Sequence, residues 1–309
     1  MGTDQELIWN AREWKAKLYS AEHPTNQFFL HQLRQQVYFH SLKCVQKRRY
    51  ITESGEEKPL LLYENMSEVT RYYKKELKSL SVSQRLDTKI EVVQLDCLVL
   101  ARGLVERYGS DKVSVLNMAN RHNPGNAVLD GRRGQEEYLF RCSDYFRSLY
   151  QFVDFGEIYA VPRSEKSYPL HQEFGGIFSK EVTVFRDSEN TGYKMLDNPW
   201  RVNFIAIAGI NKPETILVDG EIRLADRLVP SAKNKLRTLF RIAMDNQQEV
   251  LVLGALGCGS YENPARHVAE LFKEILQEEE FSGAFREIYF SVKGGPKGGN
   301  YQPFKEVFG

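Results

Sequence analysis

Cysteine is scarce in this chain. Four residues in 309, Cys44, Cys97, Cys142 and Cys258, stand far apart with no Cys-x-x-Cys pair. That argues against a zinc site and against a disulfide framework, and it fits a reduced interior in which Cys97 and Cys258 are expected to be small buried hydrophobes. Charge of one sign is lacking too. Lys and Arg number 42 and Asp and Glu 41, a net charge of +1, so composition gives no reason to expect a nucleic-acid partner. No apolar run approaches the ~20 residues of a membrane-spanning helix, so membrane insertion is not expected. The N-terminal stretch MGTDQELIWNAREWK is charged and lacks the apolar core of a signal peptide, and Glu6 stands where a myristoylation motif wants Ser or Thr. The default compartment is cytoplasmic, with delivery into another cell as an effector the alternative. The Walker G-K-[ST] triplet is absent, which disfavours nucleotide triphosphate hydrolysis, and so is an early G-x-G-x-x-G turn, which disfavours a dinucleotide-binding fold.

What is present is ordinary for a globular chain, 42% hydrophobic and 27% charged residues. Residues 1–85 read mainly as helix. NQFFLHQLRQQVYFHSLKCVQ carries apolar residues near helical spacing, and SEVTRYYKKELKSL reads as a second amphipathic piece with Ser67 as N-cap. From residue 86 the texture changes. KIEVV, KVSVLNMA, EIYAVP, EVTVF, VNFIAIAG, EVLVLGA and REIYFSV are short strand-like runs, and AKNKLRTLFRIAMDNQ and ARHVAELFKEILQEEE are helices between them. Alternating strands and helices predict an α/β sheet with helices on both faces over 86–309, with 1–85 a helical cap or partner-binding region.

Two places look chemical. Residues 112–142 run from a strand through Asn117 and Asn120 to Pro124-Gly125, then Gly131, then the adjacent carboxylates Glu136 and Glu137 at a helix start. Amides can hold ribose hydroxyls, glycines let backbone approach a ligand, and a carboxylate can move protons. The competing reading is that two glutamates in a first helical turn serve only the helix dipole. Residues 250–272 run from a strand through Gly254, Gly257 and Gly259 to Tyr261, Asn263-Pro264 and a helix. Such a turn presents backbone N–H groups to an anion such as a diphosphate, and Tyr261 could stack on a sugar or base. The competing reading is a tight turn with glycines needed only for geometry. Asp96, at the end of the first sheet strand, could accept from an adenine amino group or simply cap the next helix. His122 reads as a solvated loop residue, His171 as a cleft-lining candidate, His267 as a helix-face residue, and KRRY at 47–50 as a solvated patch.

LNMANRHNPGNAVLDGRRGQEEYLFRCS, YPLHQEFGGIFSKEVTVFRD and VLGALGCGSYENPARHVAELF together resemble, in order and spacing, the microbial-type poly(ADP-ribose) glycohydrolases over roughly residues 88–309. The resemblance implies a macrodomain-like three-layer α/β/α fold with a mixed sheet, preceded by the mainly helical region. It implies an ADP-ribosyl hydrolase of glycosidase type, with no cofactor and no metal. Glu137 would be the catalytic carboxylate and Glu136 the one orienting the distal ribose. Asn120, Gly125, Asn126, Ala127 and Gln135 would line that end of ADP-ribose, Gly257, Cys258, Gly259, Ser260 and Tyr261 its diphosphate, and Asp96 its adenine.

One departure matters. Where the family has three glycines, this chain has Gly125-Asn126-Ala127, and side chains there reshape the pocket. The expected substrate is therefore a protein carrying a single ADP-ribose, arginine-linked as one target, rather than the polymer. Poly(ADP-ribose) glycohydrolase activity proper, a reader domain that binds ADP-ribose without turnover, and a dinucleotide-dependent enzyme are the alternatives. The expected partners are the modified protein and ADP-ribose itself, with the chain monomeric.

Overall fold

The computed structural model describes residues 4–23, 25–82, 84–294 and 299–309. In chain order the elements are α1 (Ala11–Glu22), α2 (Gln27–Lys47), β1 (Arg49–Ile51), β2 (Glu57–Pro59), β3 (Thr70–Tyr73), β4 (Lys89–Val93), α3 (Cys97–Tyr108), β5 (Val113–Met118), α4 (Gln135–Cys142) and α5 (Phe146–Leu149). They continue with β6 (Gly176–Arg186), β7 (Met195–Ile207), β8 (Thr215–Val218), β9 (Glu221–Leu224), α6 (Val229–Asp245), β10 (Val250–Leu253), α7 (Ala265–Gln277), β11 (Glu287–Ser291) and α8 (Tyr301–Phe308). Contacts divide the chain into two units. One holds residues up to Val69, Asn123–Glu165 and Glu181–Arg201, and the other holds Thr70–His122, Lys166–Lys180 and Val202–Gly309, so the division falls inside β6 and β7.

The second unit is the sheet unit. A seven-stranded sheet runs in the order β3-β6-β7-β5-β10-β11-β4. The pairs β7–β5, β5–β10, β10–β11 and β11–β4 are parallel, and β3 joins β6 antiparallel, so the sheet is mixed. All four residues of β10 and five of six in β5 are buried, as a strand covered on both faces requires. An apolar cluster joins α6, α7 and α8 to the sheet, with the rings of Phe240, Phe272, Phe290 and Phe304 in mutual edge or tilted contact. Each fully buried ring of this kind contributes roughly 1.5–3 kcal/mol. α3 packs on β5 and β10 outside that cluster. Parallel strands all open their carboxyl ends at one edge, where the turns after β5, β7 and β10 emerge.

The other unit holds the helical N-terminus. α1 and α2 begin at Asn10 and Asn26, whose side chains accept from the N–H groups of Glu13 and Phe29. α2 ends at Arg48, which is left-handed at φ 55°. α2 is more than a cap. Ser41 Oγ donates to the carbonyl of Arg141 on α4 at 2.7 Å and accepts from Arg186 Nε at 2.7 Å. Arg141 Nε donates to the Tyr193 hydroxyl, Arg186 Nη1 donates to the Tyr193 carbonyl, and Arg186 lies over the Trp9 ring. Both guanidiniums are almost completely buried, at 1% exposure, so each depends on these partners.

Several local expectations fail. SEVTRYYKKELKSL forms no helix: Thr70–Tyr73 is β3, because the β-branched and aromatic residues pair with β6 and bury Tyr72, whose hydroxyl donates to the Pro169 carbonyl. EIYAVP is no strand: Asp154–Tyr159 is a 3-10 helix, folded so closely onto the Tyr150 carbonyl that only a glycine fits at Gly156. The unforeseen pair β8–β9 is a hairpin closed by Asp219-Gly220, both at positive φ, the Asp-Gly signal of a type I′ turn. His267 does not sit on an open helix face. It is buried, and its Nδ1 accepts from Leu224 N at the end of β9. Cys97 is half-buried and Cys258 buried.

Replacing Ser41 with alanine orphans two buried groups and is expected to cost about 1–3 kcal/mol, read as a lowered denaturation midpoint. His40 contacts Arg186 through Nδ1, and burial first, then the Arg186 charge, hold its imidazole down at about 3. A depressed base contributes stability that is present above the unfolded value of 6.5 and is lost as pH falls from there toward 3. Unfolding measured across that window should show a shallower acid loss in His40→Gln than in the wild-type chain.

Candidate active site

The acidic group belongs wholly to the first unit. The loop 123–134 is a series of tight turns: Asn126 N donates to the Asn123 carbonyl, Val128 N to Gly125, and Arg132 N to Ala127. α2 fixes it from outside. Gln35 Nε2 donates to the Leu129 carbonyl at 2.7 Å, and Gly131, at φ 68°, lies against the His31 carbonyl where a Cβ would overlap it. Arg141 Nη1 holds the Arg132 carbonyl at 3.0 Å. The loop delivers the chain into α4 at Gly134, which supplies no side-chain cap.

Glu136 and Glu137 occupy the first turn of α4 and are 2% and 3% exposed. Glutamates serving only a helix dipole would be solvated, so burial argues for a further use. Glu137 is held at one oxygen and closely confined at the other. Asn126 Nδ2 donates to its Oε1 at 2.8 Å, and Gly134 lies against Oε2 so closely that a Cβ would overlap it. Asn126 is left-handed at φ 45°, a conformation asparagine tolerates. Gly125, at φ 76°, sits against the Phe140 ring. The Tyr150 hydroxyl is pushed up, first by burial, with the Glu136 charge contributing. Gln135 and Ala127 are half-buried. Further along the chain Glu189 takes Arg34 Nε at 2.8 Å and Arg133 at 3.3 Å; burial raises its carboxyl, but the bonded Arg34 outweighs this and keeps it below the usual range.

The second unit carries the other group. β10 ends in a turn through Gly257, at φ 75°, and Asn263 braces it: Nδ2 donates to the carbonyls of Ile210, Gly257 and Tyr261 at 2.6, 2.9 and 3.1 Å. Asn300 Nδ2 donates to the Cys258 carbonyl. Gly259 has open space where a Cβ would point, Ser260 is exposed and Tyr261 half-buried. The Cys258 thiol is buried and pushed up to about 12, so it is no nucleophile. Asn120 Oδ1 accepts from His122 N, which shapes the turn after β5, and Asn117 is fully buried. Asp96 is the N-cap of α3: Oδ1 accepts from Leu98 N and Val99 N, and Oδ2 lies 3.5 Å from Lys293 Nζ. His122 is exposed, and His171 braces its own turn through Nδ1. Sequence reasoning missed Gly134 and Asn263. The first has no signature, whereas the second was visible as the Asn of Asn-Pro. Among the described residues no group of His, Cys, Asp and Glu could hold a metal ion, and no helix is long and apolar enough to cross a membrane.

A mixed sheet with a glycine turn at its carboxyl edge, and a buried glutamate pair behind a Pro-Gly loop, define a macrodomain-like α/β protein. Residues 40–187 match the family model for the microbial-type PARG, or poly(ADP-ribose) glycohydrolase, catalytic domain. That stretch therefore resembles the catalytic domain of a family of glycosidase-type hydrolases. Among solved structures it is similar to poly(ADP-ribose) glycohydrolase from Thermomonospora curvata bound to the inhibitor ADP-HPD, at 27% identity over 89% of this chain and 99% of that one, with a TM-score of 0.70. It is also similar to the enzyme from Deinococcus radiodurans in complex with ADP-ribose, at 28% identity over 72% and 84% of the two chains, with a TM-score of 0.55. No curated protein matches it.

Gly134→Ala should displace the Glu137 carboxylate and abolish any activity that depends on it, with the fold retained by circular dichroism. Asn126→Gly frees Oε1 and should change the rate of turnover more than the affinity for ADP-ribose, as kcat and Kd measured side by side will show.

Proposed function

We propose that this chain is an ADP-ribosyl hydrolase that cleaves the glycosidic bond at C1 of the distal ribose and releases ADP-ribose from modified proteins. The observation that carries the reading is the burial of Glu137 and its hydrogen bond from Asn126, in a chain whose residues 40–187 match the microbial-type PARG catalytic domain. Glu137, protonated, gives its proton to the leaving atom as the C1 bond breaks and the electron pair departs with that atom. The ribose is left with oxocarbenium character. The carboxylate then takes a proton from a water whose oxygen bonds to C1, which returns Glu137 to its starting state. Glu136 orients the ribose. Asn120, Gly125, Asn126, Ala127 and Gln135 are assigned to that end of the ligand. Gly257, Cys258, Gly259, Ser260 and Tyr261 are assigned to the diphosphate, for which the loop offers backbone N–H groups and the start of α7 positive potential. Asp96, the N-cap of α3, is assigned to an adenine amino group.

Mono-ADP-ribosylated protein is the proposed substrate, arginine-linked among the targets. Asn126 and Ala127 add side chains where the family pattern has glycines, and the Asn126 amide stands at the Glu137 carboxylate itself. A polymer must pass a further ribose through that space, whereas a single ADP-ribose need not.

The test is a panel of proteins carrying ADP-ribose on Arg, Ser or Asp/Glu, together with the polymer, each given to wild type and Glu137→Gln. Wild type should release ADP-ribose from at least one mono-modified protein faster than from the polymer. Glu137→Gln should lose about 10²- to 10⁴-fold in rate while still binding ADP-ribose. Release at the wild-type rate by Glu137→Gln would overturn the assignment, and faster turnover of the polymer would overturn the substrate preference.

A further inference from the structure

α6 buries a lysine. Lys235 is 5% exposed, and among the described residues its ammonium makes no hydrogen bond and no ion pair. A buried ammonium without a partner costs stability, and a lysine elsewhere on a helix would snorkel to water. Folding therefore gives no account of it, since a methionine would fill the same space without the penalty.

Its surroundings, all in the sheet unit, point to a ligand. Lys235 lines a small cavity with Gly209 and Ile210, which follow β7, and with Leu256 and Asn263 of the turn after β10. Gly209 is so close to that turn that a Cβ on it would lie 2.8 Å from Gly257 Cα. Two charged groups act on the ammonium: Arg121 from the turn after β5 and Glu173 from the segment before β6. Glu173 is engaged elsewhere, accepting from Asn234 Nδ2 at 2.8 Å, and Arg121 Nε is spent on the Leu170 carbonyl at 3.0 Å. Two cations against one carboxylate leave a net positive charge at the carboxyl edge of the sheet, beside the glycine turn that offers its N–H groups to an anion.

We propose that Lys235 is a positioning residue for the diphosphate of ADP-ribose: its ammonium, with the Arg121 guanidinium, supplies the fixed counter-charge behind the Gly257–Tyr261 turn. The inference rests on the hydrolase reading above and assigns it a residue outside the resemblance motifs. It explains why an unpaired cation is retained in an apolar setting, since a site built for an anion is strained until the anion arrives. Burial first, then the Arg121 charge, lower the Lys235 ammonium to about 8. The charge needed for binding is therefore present at pH 7 and is lost as pH rises through about 8. For the empty protein the sign is opposite: the cost of the buried charge is present at pH 7 and is relieved as pH rises from about 8 toward the ordinary lysine value of 10.5.

The experiment is calorimetric titration of the full chain with ADP-ribose at pH 7, 8 and 9, above the ordinary histidine range, for wild type, Lys235→Met and Arg121→Met, with thermal unfolding of each. Lys235→Met should bind about ten- to a hundredfold more weakly at pH 7, with an unfolding temperature equal to or above that of wild type. Arg121→Met should weaken binding in the same direction. Wild-type affinity should fall from pH 7 to 9, and that of Lys235→Met should not. Equal affinity and equal pH dependence in wild type and Lys235→Met would overturn the proposal and leave the hydrolase reading standing. Failure of wild type to bind ADP-ribose at any pH would overturn the hydrolase reading itself. Should Lys235→Met not fold, titration of wild type at pH 8.5 in buffers of different ionisation enthalpy decides: proton uptake on binding supports the lysine, and none overturns it.

Discussion

α4 is eight residues long and buries seven of them, among them two glutamates and an arginine. A helix so short has no stability of its own, and so many buried charges have no solvent to fall back on. Everything around it is arranged to meet that demand. Ser41 of α2 takes the Arg141 carbonyl and the Arg186 guanidinium together, Tyr193 serves both arginines, and Trp9 covers one of them. The same helix α2 pins the loop before α4 at Leu129 and Gly131. Once that scaffold is in place, Glu137 can be held at one oxygen by Asn126 and confined at the other by Gly134. The N-terminal helices are therefore part of what positions the carboxylates.

The sheet unit solves a different problem. Its parallel strands bring three turns to one edge, and the turn after β10 is a tight path through Gly257 that a single buried amide, Asn263, holds by three carbonyls. Lys235 and Arg121 add charge at the same edge, from α6 and from the end of β5. The cost of that charge is met only when an anion is present, which is how a binding site differs from a core.

Much of this was legible from the residues. The strands β4, β5, β7, β10 and β11 and the helices α2, α6 and α7 follow from apolar periodicity, because each buries one face or two over several turns. Glu136, Glu137 and the Gly257–Tyr261 turn stood out because glycines and adjacent carboxylates leave a local mark. SEVTRYYKKELKSL, which contains β3, reads as an amphipathic helix capped at Ser67, and only the partner β6 makes Thr70–Tyr73 a strand. The β8–β9 hairpin was legible at Asp219-Gly220 and went unread. Gly134 and Lys235 left no mark, since neither a glycine before a helix nor a lysine within one is unusual until its neighbours are known.

By itself, then, the sequence determined the α/β class and the two chemical segments, because periodicity, turn residues and the family pattern are written in short stretches of chain. The tertiary structure alone decided that Glu137 is fixed by Asn126 and Gly134, that α2 underpins α4, and that a lysine of α6 lies buried beside the turn after β10. Those are contacts between residues up to about a hundred positions apart, as Ser41 and Arg141 are. Burial, which turns an ordinary side chain into a site, is a property of the packed molecule and not of any segment.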